Sequence, residues 1–240
     1  MIEATHHVLK IPNLPASLRG FQVTHLTDLH RSRYTQDRLL HRAVAMANAA
    51  NADLILITGD FVTRDPADIE PCAQIVSHLR ARHGVYASLG NHDYTADARA
   101  VEHALTHQGI HVLINRNVQV KQGLHIVGLD DDRHGKPDID RAFTGVGEGE
   151  PVLAMIHNPA YAEALAEREC IAFSGHTHGG QICVPVLTDR EVRRIGAKHY
   201  REGWFTVGKT RLYVNRGIGK VGLPFRFRCR PEIAHFTLTD

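Results

Sequence analysis

Short apolar runs alternate with amphipathic segments along the first two-thirds of the chain. Residues 21–27, 54–58 and 85–89 are apolar enough for strands buried in a sheet, and each precedes a segment with helical periodicity. Residues 36–50 show that periodicity most clearly, because leucine, alanine and valine recur every three or four positions. The alternation of strand and helix predicts an α/β fold with a largely parallel sheet.

The remaining elements follow from the same patterns. Further helices are predicted over residues 67–82, 96–108, 137–143 and 159–168. Further strands are predicted over residues 109–113, 118–120, 124–129, 151–156 and 171–174, with a turn at 121–123. The last quarter contains the runs WFTV, RLYV and EIAHFTL and is expected to form strands throughout. It therefore predicts a second sheet packed on the first.

The composition is that of a globular protein, with 43% hydrophobic and 22% charged residues in 240. This length suits one domain with its own core, and we expect residues 1–240 to form a single domain. The four cysteines are widely spaced and are expected to be reduced thiols. The sequence shows neither a signal peptide nor a long apolar run, so a cytoplasmic location is expected, with peripheral membrane contact left open.

Positive charge is concentrated near the C-terminus. Residues 186–230 contain 12 Lys or Arg and 3 Asp or Glu, a net charge of +9, whereas the whole chain carries +2. This segment either contacts an anionic ligand or forms a solvated basic face, and the charge alone does not decide between them.

Acidic, amide and imidazole side chains follow five of the predicted strands directly. They are Asp28 with His30, Asp60, Asn91 with His92 and Asp93, His157, and His176 with His178. Any one of these groups alone fits a turn or a helix cap. Because ligands bind at the carboxyl edge of such a sheet, all five at that edge predict a metal site.

The residue types narrow the kind of metal site. Oxygen and imidazole ligands without thiolates suit Mn²⁺, Fe or Zn²⁺ better than Ca²⁺. Seven candidate ligands exceed what one such ion takes, so two ions are expected. Two ions about 3.5–4 Å apart, joined by a bridging carboxylate, are typical of phosphoester hydrolysis.

Five motifs together resemble the complete series of the calcineurin-like metallophosphoesterase superfamily. They are D-x-H at 28–30, G-D at 59–60, G-N-H-D at 90–93, H at 157 and G-H-T-H at 175–178. The runs GHTHGGQI and NRGIGKVGLPFRFRCRPEI further resemble the branch that contains YkuE-like phosphodiesterases and UDP-2,3-diacylglucosamine pyrophosphatases.

This resemblance implies a fold and a reaction. The fold is a four-layer α/β/β/α sandwich of two mixed sheets flanked by helices. The reaction is hydrolysis of a phosphodiester or pyrophosphate bond by a hydroxide that bridges two divalent ions. Manganese is the ion expected first, with iron, zinc, cobalt and magnesium as alternatives.

The resemblance also implies a role for each motif residue. One ion is held by Asp28, His30 and His178, the other by Asn91, His157 and His176, and Asp60 bridges them. His92 is expected to lie over the substrate and to protonate the leaving oxygen. Asp93 is expected to hold the imidazole of His92, with a helix N-cap as its alternative role.

Signals for the substrate are weaker. Arg31, Arg33 and Arg64 follow the first two motifs and either contact phosphate oxygens or are solvated charges. The apolar segments 182–187 and 221–225 either face an acyl chain or belong to the core.

The candidate substrates are a phosphorylated small molecule and a lipid-linked nucleotide such as UDP-2,3-diacylglucosamine. A non-catalytic scaffold is the less supported alternative. Nucleic acid is not expected, because the basic segment is poor in interleaved aromatic residues.

Overall fold

The computed structural model describes residues 1–11, 14–121, 123–185 and 187–240. The strands within these ranges are β1 (Glu3–Lys10), β2 (Gln22–Leu26), β3 (Leu54–Thr58), β4 (Val85–Ser88), β5 (His111–Val112), β6 (Arg116–Lys121), β7 (Leu124–Gly128), β8 (Val152–Met155), β9 (Ile171–Ser174), β10 (Gly203–Val207), β11 (Thr210–Val214) and β12 (Glu232–Thr239). The α-helices are α1 (Asp37–Ala49), α2 (Ile69–Val76), α3 (Asn91–Ala96), α4 (Ala98–His107), α5 (Ile139–Ala142) and α6 (Leu187–Arg194).

The strands form two six-stranded mixed sheets. The first has the order β1-β12-β2-β3-β4-β5 and is parallel except where β12 meets β2. The second has the order β10-β11-β9-β8-β7-β6 and is parallel except at its two outer pairs. Helices cover the outer faces of both sheets, so the expected class of two mixed sheets flanked by helices is confirmed.

An aromatic cluster fills the space between the two sheets. The rings of Phe173 on β9 and Phe236 on β12 lie edge to face with their centroids 5.0 Å apart. Tyr213 on β11 also packs against Phe236, with a centroid distance of 5.0 Å. All three side chains are buried. Because their contacts join strands of different sheets, they fix the separation of the two sheets.

Three predicted helices differ from the observed ones in length or in type. The helix expected over 67–82 ends at Val76, and the side chain of Asn48 then bonds the backbone of His78 and Arg80. The helix expected over 96–108 is interrupted at Asp97, which is extended and accepts the N–H of Ala100.

The helix expected over 159–168 is a 3₁₀ segment, Pro159–Leu165. The side chain of Asn158 accepts the N–H of Ala160 at its start.

Two elements differ from the expected pattern near the chain ends. β1 is unpredicted, and it pairs with β12 over eight residues at the edge of the first sheet. α6 lies in the last quarter, so the expectation of strands throughout that quarter is wrong. Gln122 of the predicted 121–123 turn and Val186 of the apolar segment 182–187 lie outside the described residues.

The helices are short. The longest in the described part of the chain, α1, has 13 residues, and no helix there has both the length and the apolar character needed to cross a bilayer.

We predict that Phe236→Ala lowers the free energy of unfolding by about 3–5 kcal/mol, because it opens a cavity between the sheets. Phe227→Ala is the matched control, since Phe227 is 47% exposed and its loss should change stability by about 0.5 kcal/mol or less. Urea unfolding followed by circular dichroism measures both. Equal effects of the two substitutions would contradict the inter-sheet packing.

Candidate metal centre

The seven expected metal ligands lie together at the carboxyl edges of both sheets. Asp28, His30, Asp60 and Asn91 follow strands of the first sheet, and His157, His176 and His178 follow strands of the second. All seven are buried. The site therefore requires both sheets, since neither carries the full set.

The carboxylate of Asp60 is at the centre of this group. Its Oδ2 lies 3.3 Å from Nε2 of His30 and 3.1 Å from Nε2 of His157. Its Oδ1 accepts the backbone N–H of His92 at 2.8 Å. One oxygen thus faces imidazoles from both sheets while the other is held by the backbone.

Three groups of donors among the described residues are close enough to hold an ion. One of them, His30 with Asp60 and His92, overlaps the other two, which share no residue. In the first, Nε2 of His178 lies 3.0 Å from Nε2 of His30 and 3.4 Å from Oδ1 of Asp28. In the second, the donor atoms of Asp60, His157 and His176 lie within 4.8 Å of one another. The two groups meet at Asp60, whose Oδ2 lies within 3.3 Å of His30 in the first and of His157 in the second.

Two buried atoms test whether metal ions fit this site. Oδ1 of Asn91 is buried without a hydrogen-bond partner among the described residues, and Nε2 of His157 faces the Asp60 carboxylate at 3.1 Å. Leaving a buried amide oxygen unpaired is costly, and both atoms are ordinary metal ligands. The donor set therefore fits divalent cations.

Hydrogen bonds orient two of the imidazoles toward the centre. Nδ1 of His157 lies 2.7 Å from the carbonyl oxygen of Thr58, and Nε2 of His176 lies 3.0 Å from the carbonyl oxygen of Ile195. A ring nitrogen facing a carbonyl must carry the proton, so the opposite nitrogen keeps its lone pair. His157 is left with Nε2, and His176 with Nδ1, as the ligating atom.

Local charges keep the Asp60 carboxylate ionised, and burial keeps the imidazoles of His176 and His178 neutral. Burial opposes ionisation of Asp60, but the charges and hydrogen bonds of His157 and His30 hold its pKa well below the usual range. Burial, together with His157, lowers the pKa of His176 to about 3. Burial and the charge of His30 lower the pKa of His178 as well. These three groups are thus in the protonation states that bind metal. Burial opposes protonation of His157, but the charges of Asp60 and Asp28 raise its pKa well above the usual range, so a cation bound there would displace a proton from Nε2.

The backbone that presents the ligands is strained. Ten non-glycine residues among those described have positive φ, and five of them are candidate ligands: Asp28, His30, Asp60, His176 and His178. Such conformations cost about 1–3 kcal/mol each and are concentrated at functional sites. The backbone of Gly175 also lies very close to Asp28. A Cβ atom at position 175 would lie only 2.1 Å from Oδ2 of Asp28.

Asp93 has a different role from the one expected. Its carboxylate accepts backbone N–H groups of Asp60, Phe61, Val62 and Gly90 at 2.8–3.3 Å. Burial and the charge of Asp60 raise the pKa of Asp93 to about 7. Asp93 therefore holds the loop of Asp60, rather than the ring of His92.

The imidazole of His92 is held by the backbone instead. Its Nδ1 lies 2.7 Å from the carbonyl oxygen of Thr63, which leaves Nε2 for other partners. Burial lowers the pKa of His92, although the charge of Asp60 partly opposes this effect.

A cavity of about 630 Å³ opens from the centre, with Asp60, Asn91 and His92 in its wall. Arg133 also lines it, and Nη1 of Arg133 donates to the carbonyl of Ile195 at 3.1 Å. Arg133 was not predicted from the sequence. Its one signal is its place after β7, at the same sheet edge as the motifs.

The three expected arginines, by contrast, do not line this cavity. Arg31 forms ion pairs with Asp37 and Asp68, so carboxylates occupy its guanidinium group. Arg33 stacks over the ring of Tyr34 at 4.7 Å. Arg64 is exposed. Contact of these three arginines with a phosphate stays a prediction.

Comparison with known proteins was made for the sequence and for the fold. The family model described as calcineurin-like phosphoesterase matches residues 21–192. The chain is 32% identical to the uncharacterized metallophosphoesterase YkuE of Bacillus subtilis, covering 99% of this chain and 86% of that protein. It is 30% identical to the phosphodiesterase YaeI of Escherichia coli, covering 91% and 82%.

More distant similarities agree with this result. The chain is 26% identical to the UDP-2,3-diacylglucosamine pyrophosphatase LpxG of Chlamydia muridarum, covering 97% of this chain and 88% of that protein. It spans only 56–58% of three other curated relatives. A dimetal phosphatase from Danio rerio, 12% identical, has the same fold with a TM-score of 0.55 over 92% of this chain and 100% of that one.

We predict that Asp93→Ala lowers the free energy of unfolding by at least about 3 kcal/mol, because it leaves four buried N–H groups without an acceptor. Asp97→Ala is the matched control, since Asp97 only caps α4 and its loss should cost about 1 kcal/mol. Both are measured by urea unfolding with EDTA present, so that metal binding does not contribute. An Asp93 variant no weaker than the Asp97 variant would refute this role.

Proposed function

The chain belongs to the calcineurin-like phosphoesterase family and is a metal-dependent phosphohydrolase, and we propose that it cleaves a phosphodiester or pyrophosphate bond at the metal centre. One observation carries this proposal. The Asp60 carboxylate lies between imidazoles of both sheets in the wall of a large cavity. A phosphate in that cavity would meet Asp60, Asn91, His176 and His178 of the donor set.

The donor positions support a division of the ligands between two ions. We assign Asp28, His30 and His178 to one ion. Asn91, His157 and His176 are assigned to the other, and Asp60 to both. Manganese is the ion proposed first, with iron, zinc, cobalt and magnesium as alternatives, because ligand type alone does not select among them. Such ions would lower the pKa of a coordinated water and offset negative charge on the phosphate.

The protein's own groups would orient the substrate and move a proton. The backbone N–H of His92 is bonded to Asp60, so the imidazole is held beside the centre. In its protonated form, Nε2–H of His92 can protonate the leaving oxygen. Arg133 uses one N–H on Ile195, and its remaining donors can bind phosphate oxygens.

The cavity wall favours a substrate with an apolar group beside its phosphate. Apolar side chains of two segments line it: Ile182, Val184, Leu187, Val221 and Leu223. Arg190 and Arg194 lie in the same wall. A lipid-linked nucleotide such as UDP-2,3-diacylglucosamine matches this combination, and it is the compound for which the relative LpxG is named. Broad phosphodiesterase activity on small molecules is the alternative, in line with the name of YaeI.

We predict that metal content follows this division of ligands. After loading with Mn²⁺ and gel filtration, the wild type should hold two ions and His178→Ala about one. The double variant His30→Ala, His178→Ala should also hold about one ion, because His30 and His178 bind the same ion. Adding His176→Ala to His178→Ala should remove nearly all metal. Inductively coupled plasma mass spectrometry gives the stoichiometry.

His41→Ala is the control, because His41 is exposed on α1 and should leave the metal content unchanged. If the His176→Ala, His178→Ala double variant keeps one full ion, both histidines serve the same ion and the division is wrong.

We predict that the manganese-loaded protein hydrolyses bis(p-nitrophenyl) phosphate and that Asp60→Ala abolishes this activity. Monoester, diester and UDP-lipid substrates are compared side by side by product release. On a diester with a poorer leaving group than nitrophenolate, His92→Ala should lose roughly 10²-fold in rate, because the leaving oxygen then needs a proton. On the nitrophenyl diester the loss should be smaller.

An equal loss on both diesters would exclude His92 as the proton donor. No turnover of any of these substrates with Mn²⁺, Fe²⁺, Co²⁺ or Zn²⁺ would overturn the proposed reaction. Faster hydrolysis of the UDP-lipid than of the simple diesters would identify a lipid-linked nucleotide as the substrate. Equal or slower hydrolysis of the UDP-lipid would support the broad phosphodiesterase activity.

A further inference from the structure

Large apolar side chains are exposed around the mouth of the cavity. Leu187, Leu223, Phe225 and Phe227, here called the rim, are 61, 48, 51 and 47% exposed. In the described part of the chain only two other large apolar side chains, Met1 and Val8, are exposed. Exposed apolar surface is therefore concentrated at the rim, and such a cluster marks an interaction site.

The rim is held in place by hydrogen bonds. The side chain of Gln181 donates to the carbonyls of Val221 and Leu223 and accepts the N–H of Val221. The backbone of Phe227 pairs with Gln181 and Cys183 at 2.9 Å. The side chains of the rim are thus exposed on a hydrogen-bonded backbone, and its partner Gln181 lies three residues after the candidate ligand His178.

The rim is part of the cavity entrance. Leu187 and Leu223 belong to the cavity wall, together with Asn91 and His92 of the centre. Phe225 and Phe227 follow Leu223 at alternate positions of the same segment, and Phe225 lines a second cavity with Met1, Arg228 and Arg230. A partner that covers Leu187 and Leu223 therefore faces the opening of the first cavity.

Positive charge surrounds these apolar side chains. Residues 220–230 contain four basic residues and no acidic one. Arg228 and Arg230 are exposed, and neither has a carboxylate within 4.0 Å among the described residues. Arg190 and Arg193 on α6 are also exposed, whereas the two carboxylates of that helix, Asp189 and Glu191, pair with Arg201 and Arg194. Apolar side chains beside unpaired arginines fit the interface of an anionic bilayer, where rings enter the acyl region and guanidinium groups meet phosphate.

Other occupants match less of this surface. A second copy of the chain would bring two strongly basic faces together, which repel each other. A nucleic acid would use the arginines, but it gives no reason for two leucines to be exposed beside them.

We propose that the rim and its arginines dock on an anionic lipid bilayer, so that the cavity opens toward the membrane surface. This docking rests on the proposed function and adds that a lipid-linked substrate is bound from the membrane surface. It involves no metal ligand, so it can be tested without hydrolysis.

The test is cosedimentation of the manganese-loaded full chain with vesicles of phosphatidylglycerol and phosphatidylcholine, against vesicles of phosphatidylcholine alone. The wild type should bind the anionic vesicles at least tenfold more tightly. Phe225→Ser with Phe227→Ser should weaken that binding at least tenfold. Arg228→Glu with Arg230→Glu should weaken it by roughly fivefold or more per arginine. Val8→Ser, which removes an equally exposed apolar side chain from β1, should bind like the wild type.

Hydrolysis of bis(p-nitrophenyl) phosphate by the rim variants should equal that of the wild type, because Phe225, Phe227, Arg228 and Arg230 lie outside the cavity wall. Failure of the wild type to bind anionic vesicles, or unchanged binding by both double variants, would overturn the docking. Binding to heparin without binding to vesicles would assign the arginines to a polyanion and also overturn it. Vesicle binding without any hydrolysis would refute the proposed reaction and leave the docking intact.

Discussion

The alignment of the two sheet edges is the constraint on which the site depends. Nδ1–H of His157 donates to the carbonyl of Thr58, and the backbone N–H of His176 donates to Asp28 at 2.9 Å. Each bond joins a candidate ligand of one sheet to a strand end of the other. A shift of one sheet by a single residue would break both bonds and separate the donors. The aromatic contacts between the sheets maintain this alignment.

The positions of the candidate ligands could be predicted because they follow from one topological rule. Strands that run parallel in a sheet bring their carboxyl ends to one edge, so polar residues after successive apolar runs must meet. The contacts that orient the rings could not be predicted in this way. The partner of His157 lies 99 residues away in sequence, and only the packing of the sheets brings it near. For the same reason the task of Asp93 was missed, since its partners lie about 30 residues upstream.

The elements that could not be predicted from the sequence depend on contacts with neighbouring elements. β1 is a sheet edge whose side chains are mostly half exposed, so its pattern lacks the apolar run of an interior strand. α6 packs against the loop of the last motif and buries little besides Val192 and Thr188. Arg133 lies in a turn, and its backbone N–H donates to the carboxylate of Asp131. The acidic cluster Asp130–Asp132 indicates a turn, but a turn pattern does not report which way its next side chain points.

The left-handed backbone at His30, His176 and His178 lowers the stability of the fold at positions that the proposed function requires. A histidine in that conformation is strained by about 1–3 kcal/mol, whereas a glycine there is relaxed. Selection for thermal resistance alone would therefore favour glycine at these three positions and gradually remove the ligands. Histidine at all three positions therefore lowers the stability of the loops, and binding by the site is the compensation that this cost implies.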